Sequence, residues 1–318
     1  MRLSIVVPCF NEAHGVAELY RQLDAVGAQL TGQADGSVSQ IEFVLVDDGS
    51  RDGTLEKLKE LAARDPRVRV LALSRNFGHQ AALSAGIDHA TGEAVVVMDA
   101  DLQHPPELIV QFVAKWREGY DLVYAYREGV RPRFGYRIIN ALMKVSVPPE
   151  SADFRLMDRR VADAFRRMPE RARFTRGMFS WLGFKQIGVG YHEHERFAGR
   201  RTYTFRQTAR MALNAVLSFS SIPLRIASIL GLFTLGLGLI YGVFILSAWL
   251  AGREFQRGWT GLIMTILIIG GVQLICLGII AEYVGRIFEE VKHRPLYVVR
   301  EWIGPEREPQ VGGGGTQA

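Results

Sequence analysis

Short runs of β-branched and aliphatic residues alternate, along the first half of the chain, with stretches whose apolar positions recur every three or four residues. The runs "LSIVVP" (3–8), "IEFVLV" (41–46), "VRVLAL" (68–73), "EAVVVM" (93–98) and "YDLVYA" (120–125) read as strands. Residues 12–30, 52–63 and 77–90 read as helices. A fourth helix is expected to begin near Pro106, because proline suits the first helical position. The polar stretch "TGQADGSVSQ" is a loop. Strand–helix alternation at this spacing predicts an α/β fold, a mostly parallel sheet with helices on both faces. Ligands of such sheets sit outside the carboxyl ends of the strands. The polar clusters "PCFNE", "DDGSRDGT", "SRNFGHQ" and "DADLQHPP" fall there. Residues 126–150 interrupt the alternation with a basic loop and a short helix.

The last third is patterned differently. Residues 226–252 and 258–281 carry no charge, and each run exceeds the roughly 20 apolar residues that cross a bilayer as a helix. Two transmembrane helices are therefore expected, over 226–252 and 258–282. The N-terminal "MRLSIVVPCFNE" turns polar too soon for a signal peptide and offers no small-residue cleavage site. Residues 1–204 are thus expected to stay on the synthesis side. Arg206, Arg210 and Arg225 precede the first span, and Arg286, Lys292 and Arg294 follow the second. The connecting loop offers only Arg253 and Arg257, opposed by Glu254. This bias predicts an inner-membrane protein with both termini cytoplasmic, joined by a short hairpin on the far side. Arg206, Arg210, Asn214, Ser218 and Ser221 share one face of residues 205–222, the pattern of an amphipathic helix in the membrane interface. Packing of that helix against the soluble domain is the other reading. Gly238 and Gly242 suit close packing of the spans, and a two-span anchor of this kind is expected to form a homo-oligomer. The tail over 283–318 is expected to be cytoplasmic, ending in the flexible "VGGGGTQA".

Charge and cysteine content narrow the setting. Cys9 ends a strand and Cys276 lies inside the second span, so no disulfide framework exists, as expected in a reducing compartment. The formal net charge of +5 comes without a recognisable nucleic-acid-binding module. Much of the basic charge is arginine near the membrane, so anionic lipid or phosphate, and no nucleic acid, is the expected partner.

Asp99 and Asp101 follow a run of buried-looking residues, and on an extended backbone both side chains point to the same side. Magnesium is usually held by one or two carboxylates plus substrate phosphates. Zinc or copper would want neighbouring His or Cys. Alone, a D-x-D is more often a turn or a helix cap. Asn11 and Glu12 stand at the end of the first strand, suited to a base or a ribose. Asp47 and Asp48 stand beyond the second, beside a Gly-Ser turn that lets backbone approach a ligand. Arg75, Asn76 and Gly78 precede a helix N-terminus, a ready anion site. Each has a structural alternative: Asp48 and Ser50 as caps of the helix beginning near Asp52, Asn76 as a turn residue. His192 and His194 in "HEHE" would share a strand face, but no third ligand follows, and an edge strand of alternating charge accounts for them. His79 is expected to be a loop contact rather than an acid or base.

Together, "VVPCFNE", "VDDGSRDGT", "RNFGHQAALSAG" and "MDADLQHPPE", with "ADFRLMDRRV" (152–161) and "ERFAGRRTY" (195–203), resemble the signature of glycosyltransferase family 2. Over nearly all of residues 1–300 the chain is similar to its polyprenyl-phosphate glycosyltransferases, bactoprenol glucosyltransferases and dolichol-phosphate mannose synthases among them. The resemblance implies a GT-A (Rossmann-like) fold and inverting transfer of a sugar from a nucleotide-sugar to polyprenyl (undecaprenyl) phosphate. It implies that Pro8, Asn11, Glu12, Asp47, Asp48, Asn76 and Asp99 bind the nucleotide. Asp99, Asp101 and Gln103 would surround Mg²⁺ or Mn²⁺ and the sugar diphosphate. Asp153, Arg155 and Asp101 would be catalytic, and Arg127, Arg155, Arg196, Arg200 and Arg201 would handle phosphate and acceptor.

Two departures from the family pattern matter. After "AG" the family continues with an acidic residue, Ser or Thr, and Lys before the Tyr, whereas here Arg200, Arg201 and Thr202 precede Tyr203. Either an arginine takes the lysine's role or this limb of the donor site differs. The segment between "YAYR" and "DFRL" is also shorter than is common, which implies a remodelled acceptor-side loop. A phosphate monoester has its second pKa near ~6, so the nucleophile is largely deprotonated at neutral pH. Asp153 is therefore expected to orient Arg155 or the acceptor, with base catalysis the second option. A processive polysaccharide synthase would carry Q-x-x-R-W, which is absent, and more spans. A catalytically silent nucleotide-sugar-binding scaffold would not need Asp99 and Asp101. UDP-glucose is the first expected donor, with UDP-linked N-acetylhexosamine, a modified arabinose and GDP-mannose open.

Overall fold

A computed structural model describes residues 1–33, 36, 38–129, 148, 151–171, 173–192, 222–251 and 258–304. Arg196, Arg200, Arg201, the interface helix expected over 205–222 and most of the basic loop expected over 126–150 lie outside these residues. The described residues form two compact units. One contains the sheet together with the segment that follows Pro295, and the other contains the two long apolar helices.

Four parallel strands form the centre of the sheet: β1 (Arg2–Cys9), β2 (Gln40–Asp47), β3 (Val68–Leu73) and β4 (Ala94–Val97). They are mostly apolar because helices cover both faces. The helices of this half are α1 (Val16–Thr31), α2 (Thr54–Arg64), α3 (His79–His89) and α4 (Leu108–Arg117). Each begins a few residues after its expected start, beyond a turn that carries one of the polar clusters. Leu3, Ile5, Val7, Phe43 and Leu45 pack with Leu19 and Leu23 of α1, Leu58 of α2 and Phe112 of α4. On the opposite face α3 lies close to β1 and β2. A Cβ on Gly86 would come within 2.1 Å of Val6 Cγ1, so only glycine permits this approach.

Two further strands that alternation does not indicate extend this side of the sheet. After β5 (Leu122–Arg127), β6 (Ser151–Asp158) inserts antiparallel between β4 and β5, and β7 (Gln186–Tyr191) pairs parallel to β5. Two short helices, α5 (Arg159–Arg166) and α6 (Thr175–Trp181), lie between β6 and β7. Asp158 caps α5 by accepting from Arg160 N at 2.9 Å.

The other unit contains α7 (Ile222–Leu250) and α8 (Trp259–Val291). Both are long and apolar enough to cross a membrane. They pack together, with Cys276 Sγ 3.5 Å from the Ala227 carbonyl. The second helix outlasts its apolar run, since Glu282 and Arg286 pair along it at 3.3 Å. It ends where His293 turns to a φ of 47°, just before Pro295. Beyond it, β8 (Val299–Ile303) pairs antiparallel with β3 and closes the far edge of the sheet. Tyr297 donates to Asp88 at 2.9 Å, and Lys59 meets Glu301 at 2.7 Å. The full order is β7-β5-β6-β4-β1-β2-β3-β8.

This topology sets where a ligand can enter. The chain runs from β1 through β2 to β3 on one side, then returns across β1 for β4, so the strand order reverses between β1 and β4. Val6 O accepts from Met98 N on the β4 side at 3.1 Å, and Cys9 O accepts from Asp48 N on the β2 side at 2.9 Å. Pro8 is in phase with Val6, so its missing N–H faces β4. Pairing with β4 has already stopped at Val6 and Val97, and the proline costs no ladder bond there. A crevice between the ends of β1 and β4 follows.

Candidate active site

Three loops at the carboxyl edge are tied to one another by polar side chains. Asn11 takes a φ of 56°, accepts from Arg51 N at 2.9 Å and donates its own N–H to Ser50 Oγ at 3.0 Å. Glu12 N donates to Thr54 Oγ1 at 2.9 Å. The first loop is thereby pinned to the second. Asp48 then fastens the second to the third: its two oxygens accept from Phe77 N at 2.7 Å and Gly78 N at 2.9 Å. Gly49, with a φ of 71°, lies against this loop, and a Cβ there would stand 2.6 Å from Asn76 N. Burial pushes the Asp48 carboxyl up, against the pull of those two N–H groups.

Helix α2 is held by another residue than the two expected. Asp52 accepts from Thr54 N at 3.1 Å and also reaches Ala13 N at 3.1 Å, while Asp48 and Ser50 are engaged elsewhere. Asp47 is buried. Its Oδ1 accepts from Ser50 N at 3.3 Å, whereas its buried Oδ2 accepts no hydrogen bond. Asn76 is exposed beside Arg75, whose Nη1 donates to the Asn76 carbonyl at 3.1 Å.

The D-x-D pair does not sit on an extended backbone. Strand β4 stops at Val97, and residues 100–102 form a turn in which buried Leu102 takes a φ of 58°. The strand ends because β4 parts from β1, leaving Asp101 to accept from Gln103 N at 3.1 Å across the turn. A non-glycine residue in that backbone region costs about 1–3 kcal/mol and persists where its surroundings fix it. Gln103 therefore stands in the acidic turn, and Pro105 and Pro106 form the turn ahead of α4, with Leu108 N on Pro105 O at 3.2 Å.

Antiparallel register brings the second carboxylate to the first. Val97 pairs with Arg155 and Val96 with Leu156, and just beyond the end of this ladder Asp99 and Asp153 both approach His79. Period-two alternation on β6 sends Asp153 and Arg155 to one face and Phe154 to the other, where Phe154 packs on Phe112 with ring centroids 4.8 Å apart. His79, the first residue of α3, lies between the carboxylates, its Nε2 3.3 Å from Asp99 Oδ1 and 3.7 Å from Asp153 Oδ2. His104 Nδ1 is 3.8 Å from Asp99 Oδ2. Asp153 Oδ1 accepts from Arg176 Nε at 3.1 Å and from Arg155 Nη2 at 3.4 Å, and Oδ2 from Gln80 Nε2 at 3.4 Å.

The two acids are driven apart electrostatically. Burial pushes Asp99 above its ordinary value despite His79 nearby. Burial would raise Asp153 too, but Arg176, His79 and Arg155 overcome it and hold Asp153 well below the carboxylate range. Arg155 is itself lowered to about 10 by burial, with its guanidinium 4.7 Å from the Phe179 ring centroid. His79 is raised: the nearby carboxylates of Asp153 and Asp99 outweigh the cost of desolvation.

Sequence reasoning named Asp99, Asp101, Asp153 and Arg155 but treated His79 as a loop contact. It left out Gln80, His104 and Arg176. Arg127 ends β5 opposite Tyr191, whose ring packs on His104 with centroids 5.5 Å apart. Among the described residues no three His, Cys, Asp or Glu side chains form a ready metal cage. Asp99 and Asp101 nevertheless fit a hard cation that completes its shell with substrate phosphate and water. The buried Asp99 Oδ1, which accepts no hydrogen bond, suits such a ligand.

Comparison with known proteins identifies the family. The family model described as glycosyl transferase family 2 matches residues 4–168, and one described as a GtrB C-terminal hairpin matches residues 222–287. The chain is 40% identical over 317 residues to YkcC, an uncharacterized glycosyltransferase of Bacillus subtilis (strain 168), covering 97% of this chain and 96% of that one. It is 36% identical over 309 residues to the bactoprenol glucosyl transferase of Shigella phage SfV, covering 94% and 98%. Mannosyltransferase PcManGT from Pyrobaculum calidifontis, solved in complex with GDP-Man and Mn²⁺, aligns at 17% identity with a TM-score of 0.42 over 91% of this chain and 87% of that one. The mixed eight-stranded sheet with its acidic switch point is a GT-A-like fold, and the protein is a membrane-associated glycosyltransferase. The chain belongs to glycosyl transferase family 2, with the GtrB-type hairpin following its catalytic domain.

Proposed function

We propose that the chain transfers a sugar, glucose first, from a UDP-sugar to a polyprenyl phosphate, inverting the anomeric carbon and releasing the nucleoside diphosphate. The observation that carries this reading is the approach of Asp99 and Asp153 to the same His79 at the switch point, its Nε2 3.3 Å from one and 3.7 Å from the other. Similarity to a bactoprenol glucosyl transferase over 94% of the chain supports the sugar and the lipid class.

Pro8, Asn11, Glu12, Asp47 and Asn76, at the carboxyl ends of β1, β2 and β3, are assigned to the nucleotide. Asp47 contributes a buried oxygen, Oδ2, without a hydrogen bond, an acceptor suited to a base N–H or ribose hydroxyl. Asp48 acts by fixing the loop that carries Asn76. Asp99 and Asp101, with Gln103 beside them, would hold Mg²⁺ or Mn²⁺, which neutralises charge on the leaving diphosphate when bound. Asp153 serves to orient cations, not to take a proton. Its charge is committed to Arg176 and Arg155, and a phosphate monoester is already largely ionised above its second pKa of ~6. Arg155 holds Asp153 from within, and Arg127, Arg196, Arg200 and Arg201 are assigned to phosphate and acceptor. Holding the acceptor oxygen in line with the anomeric carbon supplies much of the rate by positioning.

Both ends of the hairpin are taken as cytoplasmic, and the strand that follows it supports their lying on one side. That strand pairs with β3 of the sheet, in keeping with a chain that returns to the side it left. The test of the whole reading is a panel of nucleotide-sugars offered to undecaprenyl phosphate with Mg²⁺ or Mn²⁺, read by the mass of the lipid product. UDP-glucose should give a hexosyl-phosphate lipid. No product from any donor would leave a silent binding scaffold as the better account.

A further inference from the structure

Asp153 gathers two arginines that differ in what they can reach. Arg155 is sealed in, with 5% of its side chain exposed and its guanidinium against Phe179. Arg176, on the second residue of α6, keeps 39% of its side chain exposed while its Nε donates to Asp153 Oδ1 at 3.1 Å. The other side of Asp153 faces His79 and Gln80, and His79 faces Asp99. Arg176, Asp153, His79 and Asp99 thus form one chain of contacts that ends at the carboxylate assigned to the donor diphosphate. No sequence motif marked Arg176.

We propose that Arg176 binds a substrate phosphate and that Asp153 is its positioning residue. This rests on the function proposed above. A guanidinium is a rigid planar fork that matches phosphate oxygens, and a hydrogen bond through Nε fixes the plane of that fork. Asp153 supplies that bond and has a second arginine behind it, so it remains an anion without needing the substrate. A buried arginine such as Arg155 would have to be drawn out to meet a phosphate. Arg176 would not. The ligand is a phosphate oxyanion, and either the acceptor phosphomonoester or the donor diphosphate presents one.

The full-length protein in detergent, as wild type, Arg176→Ala, Arg176→Lys and Asp153→Asn, tests this by steady-state kinetics with polyprenyl phosphate and nucleotide-sugar varied in turn. Arg176→Ala should raise the KM of one phosphate substrate by about tenfold or more, the loss expected of one charge-assisted hydrogen bond. Arg176→Lys should recover part of it, and added guanidinium should restore Arg176→Ala better than urea does. A shift confined to the lipid identifies the acceptor monoester. A joint shift of the donor KM and of inhibition by nucleoside diphosphate identifies the donor diphosphate. Asp153→Asn should move the same KM by a smaller factor. Both KM values within about twofold of wild type in Arg176→Ala and Arg176→Lys, whatever happens to kcat or the melting temperature, would overturn the inference. Should Arg176→Ala fail to fold, Arg176→Lys decides alone, with a KM shift of several-fold expected. Absence of turnover by wild type counts instead against the proposed function. In that event, calorimetry with nucleoside diphosphate and with polyprenyl phosphate decides for Arg176, and affinities unchanged in Arg176→Lys would refute its role.

Discussion

Two clusters of buried charge stand at opposite ends of the same strands, and they are built on different terms. At the amino ends of β1, β2 and β3, Glu42 is 1% exposed and surrounded by partners. Ser4 Oγ donates to it, Thr91 Oγ1 does so at 2.8 Å, and Arg2 and Arg69 stand 3.2 and 3.3 Å away. At the carboxyl ends, Asp47 Oδ2 is buried without a hydrogen bond, and Asp99 Oδ1 has no hydrogen bond and only His79 Nε2 nearby, at 3.3 Å. Burial acts on both clusters. Glu42 is nevertheless held below its ordinary value by Ser4, Thr91 and Arg2, while Asp99 is driven above its own. Natural proteins pair nearly every buried polar atom, so a buried oxygen left open within a crevice marks a place for something the chain does not supply. The difference separates charge that serves folding from charge that serves chemistry.

Substitution at each end should break in a different way. Asp101→Asn is expected to cost about 10³-fold or more in kcat, roughly 4 kcal/mol, while the melting temperature stays within a few degrees of wild type. Unfolding of this variant under assay conditions would show that the carboxyl-end cluster also carries the fold. Glu42→Ala is expected to do the reverse. Removing one member of a buried, hydrogen-bonded charge cluster leaves Arg69 and Arg2 without their anion and costs about 3 kcal/mol of stability. Activity per folded molecule should be unchanged, and chemical denaturation with an activity titration separates the two quantities. Asp153→Asn should be milder than Asp101→Asn, about 10–100-fold in rate at saturating acceptor, the scale of a lost positioning contact. A loss as large as that of Asp101→Asn that disappears at high pH would restore a proton-accepting role and remove the orienting one.

What the sequence makes legible follows the same division. Five strands and four helices are readable because each buries a continuous or periodic apolar face. The polar residues that end those strands are readable because nothing in a core explains them. Strand β6 escapes that logic. Asp153, Arg155 and Met157 alternate with Phe154 and Leu156, so one face of this buried stretch carries charge and lacks the apolar run that marks the other strands. The final strand, in "YVVREWI", follows two apolar spans and has no partner visible in the sequence until β3 is in place. The approach of Asp99 to Asp153 needs the antiparallel register between β4 and β6, and the contact of Arg176 with Asp153 needs α6 to fold back beside β6. Neither is a matter of spacing along the chain. His79 illustrates the limit most directly, since a residue one position past a glycine turn proves to stand between two acids.

The smallest expected effect concerns pH and isolates the amino-end cluster. Because the folded-state pKa of Glu42 is depressed, its ionised form contributes stability above the unfolded value of ~4.3 and loses it as pH falls through the folded value. Glu42→Gln removes the charge while keeping much of the shape, so the stability gap between wild type and this variant should be widest near neutral pH. It should narrow steadily below about pH 4. Denaturant midpoints for both proteins at pH 7 and pH 3 measure this difference with the remaining carboxylates as a common background. A gap that stays constant or widens in acid would mean that Ser4 and Thr91 hold Glu42 as a neutral acid. The amino-end cluster would then be a hydrogen-bonded network without charge, and the contrast with Asp99 would reduce to the number of bonds each makes.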